Sequence, residues 1–167
     1  YAPYESQDSM AFRNGSNFRV KSFPLTDLDN HFVHTNGDGS ECPCYGFMIS
    51  HEELGRMVYI TDAELVKWPF TGIKHLLLDV NYDGDLLDDN HVKRKHVLSG
   101  HMSLETAREF VRVTAENNDL ATVILCHLSE SADEEHFVKE IESVAQCPVY
   151  VARPGLRIDL RADGCPS

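Results

Sequence analysis

The stretch "ATVILCHLSES" (121–131) constrains the fold more than any other part of the chain. Val123 to Cys126 are apolar without interruption, and His127 follows at once. An apolar run this short reads as a fully buried strand. A second run of the same kind, "IKHLLLDV" (73–80), carries Asp79 near its C-terminal end. Helical patterns lie close by. "SLETAREFVRVTAEN" (103–117) puts Leu104, Ala107, Val111 and Thr114 on one face, with Ser103 as the N-cap. "SADEEHFVKEIESVAQ" (131–146) opens on a Ser131-x-x-Glu134 capping box and carries Phe137, Ile141 and Val144 as its apolar stripe. Strands alternating with helices predict an α/β layered fold.

The remaining elements fit that class. "NFRVKSFPL" (17–25) alternates Phe18, Val20 and Ser22 against Arg19 and Lys21, a half-buried strand. Residues 26–42 have no period and contain Asn-Gly and Asp-Gly turns, so they form a long loop. "CYGFMIS" (44–50) and "RMVYIT" (56–61) form a hairpin. "DAELVKWPF" (62–70) reads as a short helix capped by Asp62 and stopped at Pro69. "CPVYVARPG" (147–155) and "LRIDLR" (156–161) close the chain as strands. No repeat or internal boundary divides residues 1–167, which read as one domain.

Composition narrows the function classes. The formal net charge is −12, a field that repels nucleic-acid phosphates at long range. The densest basic stretch is the short "HVKRKH" (91–96). Five scattered cysteines, Cys42, Cys44, Cys126, Cys147 and Cys165, do not make a disulfide framework. With no signal peptide and no apolar run long enough to span a membrane, the expected location is cytoplasmic. Cys42 and Cys44 form a C-x-C without the second pair of a structural zinc site. The chain opens on Tyr1, as a processed product or a fragment would.

Ligands in open α/β sheets bind beyond the strand C-termini. Asp62 follows one strand, His127 another, and His101 lies just before a helix N-cap. His31 and His34 lie in the long loop. Imidazole and carboxylate converging on one sheet end would hold Zn²⁺, Mn²⁺ or Fe²⁺. Each residue also has a plainer reading: Asp62 as a helix cap, His127 as a capping group or a support to a ligand. His31, His51, His75, His91 and His136 read as solvated loop residues. "DVNYDGDLLDDN" (79–90) matches half of an EF-hand loop, but it ends in Asn90 where a bidentate Glu belongs, and a strand precedes it. The EF-hand reading fails; Asp79 stays of interest for its place at a strand end.

"YGFMISHEELGRMVYITDAEL", "HLLLDVNYDGDLL", "HVLSGHMSLETAREF" and "VILCHLSESADEEHF" occur in the order seen in the C-terminal half of metallo-β-lactamase-fold hydrolases. The chain resembles the phosphodiesterase-like branch over about residues 17–160. The resemblance implies the C-terminal half of an α/β/β/α sandwich. It implies metal ligands at His34 (His31 as fallback), Asp62 and His127, with Asp62 bridging two metals. It makes His101 of "SGHMS" the residue that contacts the phosphate or donates a proton, so Asp62 and His101 are the implied catalytic pair. The implied cofactors are two divalent ions, Zn²⁺ first and Mn²⁺ as the alternative, about 3.5–4 Å apart.

The H-x-H-x-D-H string of that family's N-terminal half is not found in this sequence. The implied function is therefore phosphodiester hydrolysis, of the nuclease or cyclic-nucleotide phosphodiesterase class, together with an N-terminal half that carries the string. The alternative is a non-catalytic binding or assembly subunit with a degenerate form of the fold. Acidic charge favours a small phosphodiester over a long nucleic acid. The expected partners are the complementary half, the substrate and a second copy in a homodimer; no membrane is involved. Burying each Val, Ile, Leu or Phe is worth about 1.5–3 kcal/mol, so a bare half-sandwich loses much of its stability. Expression of residues 1–167 alone should give insoluble or molten material. A soluble monomer with a sharp cooperative thermal transition and no partner would contradict that expectation.

Overall fold

A computed structural model describes residues 9–11, 17–36, 38–84, 100–130 and 132–161. The strands are β1 (Ser9–Ala11), β2 (Arg19–Pro24), β3 (His34–Thr35), β4 (Glu41–Cys42), β5 (Tyr45–His51), β6 (Gly55–Ile60), β7 (His75–Asp79), β8 (Thr122–Cys126) and β9 (Val149–Val151). The helices are α1 (Leu104–Asn117) and α2 (Glu134–Ala145). One seven-stranded sheet has the order β1-β2-β5-β6-β7-β8-β9, and β3 and β4 form a separate ribbon.

The sheet changes character at β6. From β1 to β6 every pairing is antiparallel, while β6, β7, β8 and β9 are parallel neighbours in chain order. Parallel strands need crossovers, and crossovers are right-handed. Strands added in one direction therefore send their crossover helices to one face. α1 and α2 obey, packing on each other and on that face. The same step sets the C-terminal ends of β6, β7 and β8 side by side.

The core lies between the helices and the sheet. Val58, Ile60, Leu76, Leu78, Val123 and Leu125 meet Ala107, Val111, Phe137 and Ile141 there. All four residues on the expected apolar face of α1 are buried, and Ser103 Oγ accepts the Thr106 N–H at 3.2 Å. In α2 the cap is Asp133, which accepts the His136 N–H at 3.1 Å. The expected capping Ser131 lies outside the described residues, as do His91, Cys165, the basic stretch 91–96 and the end of the EF-like loop.

On the other face the strands carry an aligned row. Register pairs Phe47 with Tyr59, Tyr59 with Leu77, Leu77 with Ile124 and Ile124 with Tyr150. Alternation puts these side chains opposite the helices. Phe47 and Tyr150 at its ends are each 37% exposed.

Four expectations are corrected. Residues 62–70 are not helical. Asp62 takes a left-handed backbone with φ 55°, and the segment runs extended, with Ala63 and Phe70 buried. Trp68 Nε1 pins it by donating to the Pro24 carbonyl at 3.1 Å, and Lys67 Nζ by donating to the Asp27 carbonyl at 2.7 Å. Residues 156–161 form no strand; they carry the alternation without a ladder. In β2 the buried positions are Phe23 and, just beyond it, Leu25, not the Phe18 and Val20 register. The Phe23 ring occupies the space where a side chain on Gly46 would stand, its atoms 2.3 Å from an ideal Cβ. Phe18 instead stacks on His51.

The fourth correction is His75, read as solvated but buried at 1% exposure within β7. Its Nε2 donates to the Leu54 carbonyl at 3.1 Å. Burial pushes its pKa below the ordinary 6.5. In the window between the folded-state pKa and 6.5 the unfolded chain binds the extra proton. Stability from this group is therefore present above 6.5 and is lost as pH falls through the folded pKa. As pH falls from 6.5 to the folded pKa, the thermal midpoint should drop more steeply than in His75→Leu; equal slopes would contradict the assignment.

Candidate metal centre

Three neighbouring strand ends and one helix-entry loop build the site. Asp62 lies just past β6, Asp79 ends β7, His127 follows β8, and His101 precedes the cap of α1. One ligand atom from each of these four residues can be chosen so that all lie within 4.8 Å of one another. Asp62, His101 and His127 are the residues singled out in the sequence. Asp79 joins them as a fourth, and its signal was its position: an acidic residue closing an apolar strand.

The Asp79 carboxylate is the hub. Its exposure is 0%. Oδ2 accepts the Asp62 backbone N–H at 2.9 Å and faces His101 Nδ1 at 2.8 Å. Oδ1 is buried with no hydrogen-bond partner among the described residues. His127 Nδ1 lies 3.5 Å from Asp62 Oδ1 and 3.8 Å from Asp79 Oδ2. The hydrogen bond that its ring donates to Asp79 raises the His101 pKa from its ordinary 6.5, against the opposing effect of burial. Cys126 stands in register beside Asp79. Burial, reinforced by Asp79 and Asp62, pushes its thiol up to about 12, so it stays neutral.

Backbone geometry aims the side chains. Asp62 and His127 both take left-handed conformations, φ 55° and 59°. Such conformations are uncommon outside glycine, though Asp and His tolerate them better than most, and they cluster at functional sites. Each turns the chain sharply at a strand end and leaves its side chain near the Asp79 carboxylate.

His34 stands beside the cluster rather than in it. Its ring centroid is 6.0 Å from that of His101, and its Nδ1 is buried without a partner among the described residues. The ring lies against Gly100, where a Cβ would come within 2.2 Å of His34 Nδ1. Gly100 also has φ 132°, so only glycine suits that place. His31 is elsewhere: exposed, with Nδ1 2.7 Å from Glu41 Oε1, a pairing that raises its pKa. His51 and His136 pair with Phe18 and Asp83. Cys42 and Cys44 are free thiols, and Cys44 Sγ reaches the Leu25 carbonyl.

The donor set fits a divalent cation. Two carboxylates and two imidazoles are the ligand types that such ions take, and the orphaned Asp79 Oδ1 is a buried acceptor lacking a donor. Asp62, Asp79, His101 and His127 together are a group that could hold such an ion.

No protein-family profile matches the sequence, and no curated protein is significantly similar to it. Solved structures do match. The metallo-β-lactamase-fold protein YhfI from Bacillus subtilis superposes with a TM-score of 0.62 at 18% identity, covering 92% of this chain and 53% of that one. Unliganded PDE1 from yeast gives 0.57 at 12% identity, covering 92% and 47%. The isothiocyanate hydrolase from Delia radicum gut bacteria gives 0.56 at 12% identity, covering 95% and 60%. The chain thus has an α/β fold similar to metallo-β-lactamase-fold structures. It spans about half to three-fifths of the length of the structures it matches.

Proposed function

We propose that this chain carries part of the active site of a metal-dependent hydrolase whose substrate is a small phosphodiester. The observation that carries the reading is the convergence of Asp62, Asp79, His101 and His127 at the ends of three parallel strands. The motifs "YITD", "SGHMS" and "CHLS" support the phosphodiesterase branch. The net charge of −12 supports a small substrate over a polyanion.

Asp62 and His127 would hold the ion, Zn²⁺ before Mn²⁺, and Asp79 orders them through the Asp62 backbone. A bound divalent pair supplies Lewis-acid polarisation and neutralises charge on the phosphoryl oxygens. His101 acts as the general acid. With Nδ1 engaged by Asp79, its other ring nitrogen is the one able to give a proton to the departing oxygen. The hydrogen bond to Asp79 raises the ring's pKa from its ordinary 6.5, which favours the protonated form.

The remaining ligands would come from a segment carrying H-x-H-x-D-H, packed on the sheet face opposite the helices. The row Phe47, Tyr59, Leu77, Ile124 and Tyr150 offers it a continuous apolar surface. The shares of the matched structures left uncovered leave room for a second half of similar size. A cytoplasmic location agrees with the four free cysteines among the described residues. None of the described helices is long and apolar enough to cross a membrane.

The test separates metal binding from proton transfer. In the purified protein with any co-purifying chain, His101→Ala should keep most of its metal while turnover falls by roughly 10²–10⁴. His127→Ala should lose metal as well as turnover. Loss of metal in His101→Ala would make His101 a ligand. Metal-free, inactive protein throughout would assign the chain to a binding subunit.

A further inference from the structure

The sequence pattern drew attention to the loop after β7 for its resemblance to half an EF-hand. The structure gives its first residues a different task. Asn81, two residues beyond Asp79, bonds to both of the other loops that carry site histidines. Its backbone N–H donates to the Met102 carbonyl at 2.9 Å, next to His101. Its carbonyl accepts the Ser129 N–H at 2.9 Å, two residues past His127. Its side-chain Nδ2 donates to the His127 carbonyl itself at 2.5 Å. The neighbours extend the seam. The Val80 N–H donates to the Cys126 carbonyl, and the Tyr82 carbonyl accepts the Leu104 N–H. Tyr82 forms a parallel bridge with Ser103.

We infer that Asn81 is a positioning residue for the metal centre, clamping His127 into its left-handed conformation and fixing its distance from His101 and Asp79. The inference rests on the metal-site reading proposed above. His127 has φ 59°, a conformation an L-residue keeps only when its surroundings over-determine it. The bond from Asn81 Nδ2 falls on that residue's own carbonyl, so it restrains the peptide that sets the ring's direction. Backbone bonds alone would be available to any residue at position 81. The Nδ2 bond needs a short side chain with an N–H donor, which asparagine supplies. Aspartate has the same shape but would set an acceptor against an acceptor. Residues that orient ligands in this way typically change metal affinity 10–100-fold when altered.

The experiment uses the purified full chain with any chain that co-purifies, stripped of metal and titrated with Zn²⁺. Asn81→Ala and Asn81→Asp should each weaken Zn²⁺ binding by about 10–100-fold, with Asn81→Asp at least as weak as Asn81→Ala. The thermal midpoint of the metal-free protein should change little, because the backbone bonds of residue 81 remain. Binding within about twofold of the unsubstituted protein would overturn the inference. So would a fall in the metal-free midpoint at unchanged affinity, the mark of a merely structural role. A measurement that needs no substitution covers variants that fail to fold. One Nδ2 proton of Asn81 should be protected from exchange in the metal-free protein, and free exchange of both would overturn the clamp. If the unsubstituted protein binds no Zn²⁺, the metal-site reading fails, and the positioning role toward a metal falls with it. A protected Asn81 amide in that case would show that the clamp on His127 stands and that the fault lies in the metal reading.

Discussion

A carboxylate with no exposure at the end of a central strand is the constraint around which the site is arranged. Moving an ion out of water costs several kcal/mol unless partners surround it. Asp79 obtains two of them, the Asp62 N–H and the His101 ring, on the same oxygen. Each partner has consequences beyond the site. Meeting Oδ2 accompanies the left-handed turn at Asp62, and the chain beyond it runs extended instead of helical. That extended segment delivers Ala63 and Phe70 to the core. His101 ties the entry of α1 to the same oxygen, two residues before the Ser103 cap. One buried group thus couples sheet, crossover segment and helix start.

Topology makes this coupling possible. The parallel order β6-β7-β8 lines up three C-terminal strand ends. A hairpin array would alternate strand ends and could not place Asp62, Asp79 and His127 together. Helices on one face leave the other for the row from Phe47 to Tyr150. By alternation Asp79 shares the parity of His75 and Leu77, so it projects to that second face. The candidate centre accordingly lies at the C-terminal ends of the central strands β6, β7 and β8, toward the face without helices.

Much of the fold was legible because local and tertiary preferences agreed. The apolar runs of β7 and β8 and the stripe of α1 could be assigned from burial periodicity alone. Where they disagreed, tertiary structure won. Asp62 followed by "AEL" carries a good cap signal, yet its N–H is taken by Asp79, 17 residues along the chain but adjacent in the sheet. "LRIDLR" alternates like a strand, but among the described residues it joins no strand ladder. The register of β2 turned on Phe23 filling the space over Gly46, a pairing no local pattern encodes. His75 reads as a solvated histidine although it lies inside the run 73–80; only the finished sheet shows it buried. Three members of the cluster, Asp62, His101 and His127, were legible as candidates through their positions beside strand ends and a cap. The hub, Asp79, was visible as a strand-end acid, but its role depended on contacts that only the three-dimensional arrangement supplies.

The central claim is that Asp62 and His127, ordered by Asp79, hold a divalent ion. X-ray absorption at the zinc edge, on protein reconstituted with Zn²⁺, tests it most directly. The account predicts a shell of nitrogen and oxygen ligands at about 2.0–2.2 Å, with imidazole scattering and no sulfur. A sulfur shell near about 2.3 Å, such as Cys42 and Cys44 would supply, would contradict it.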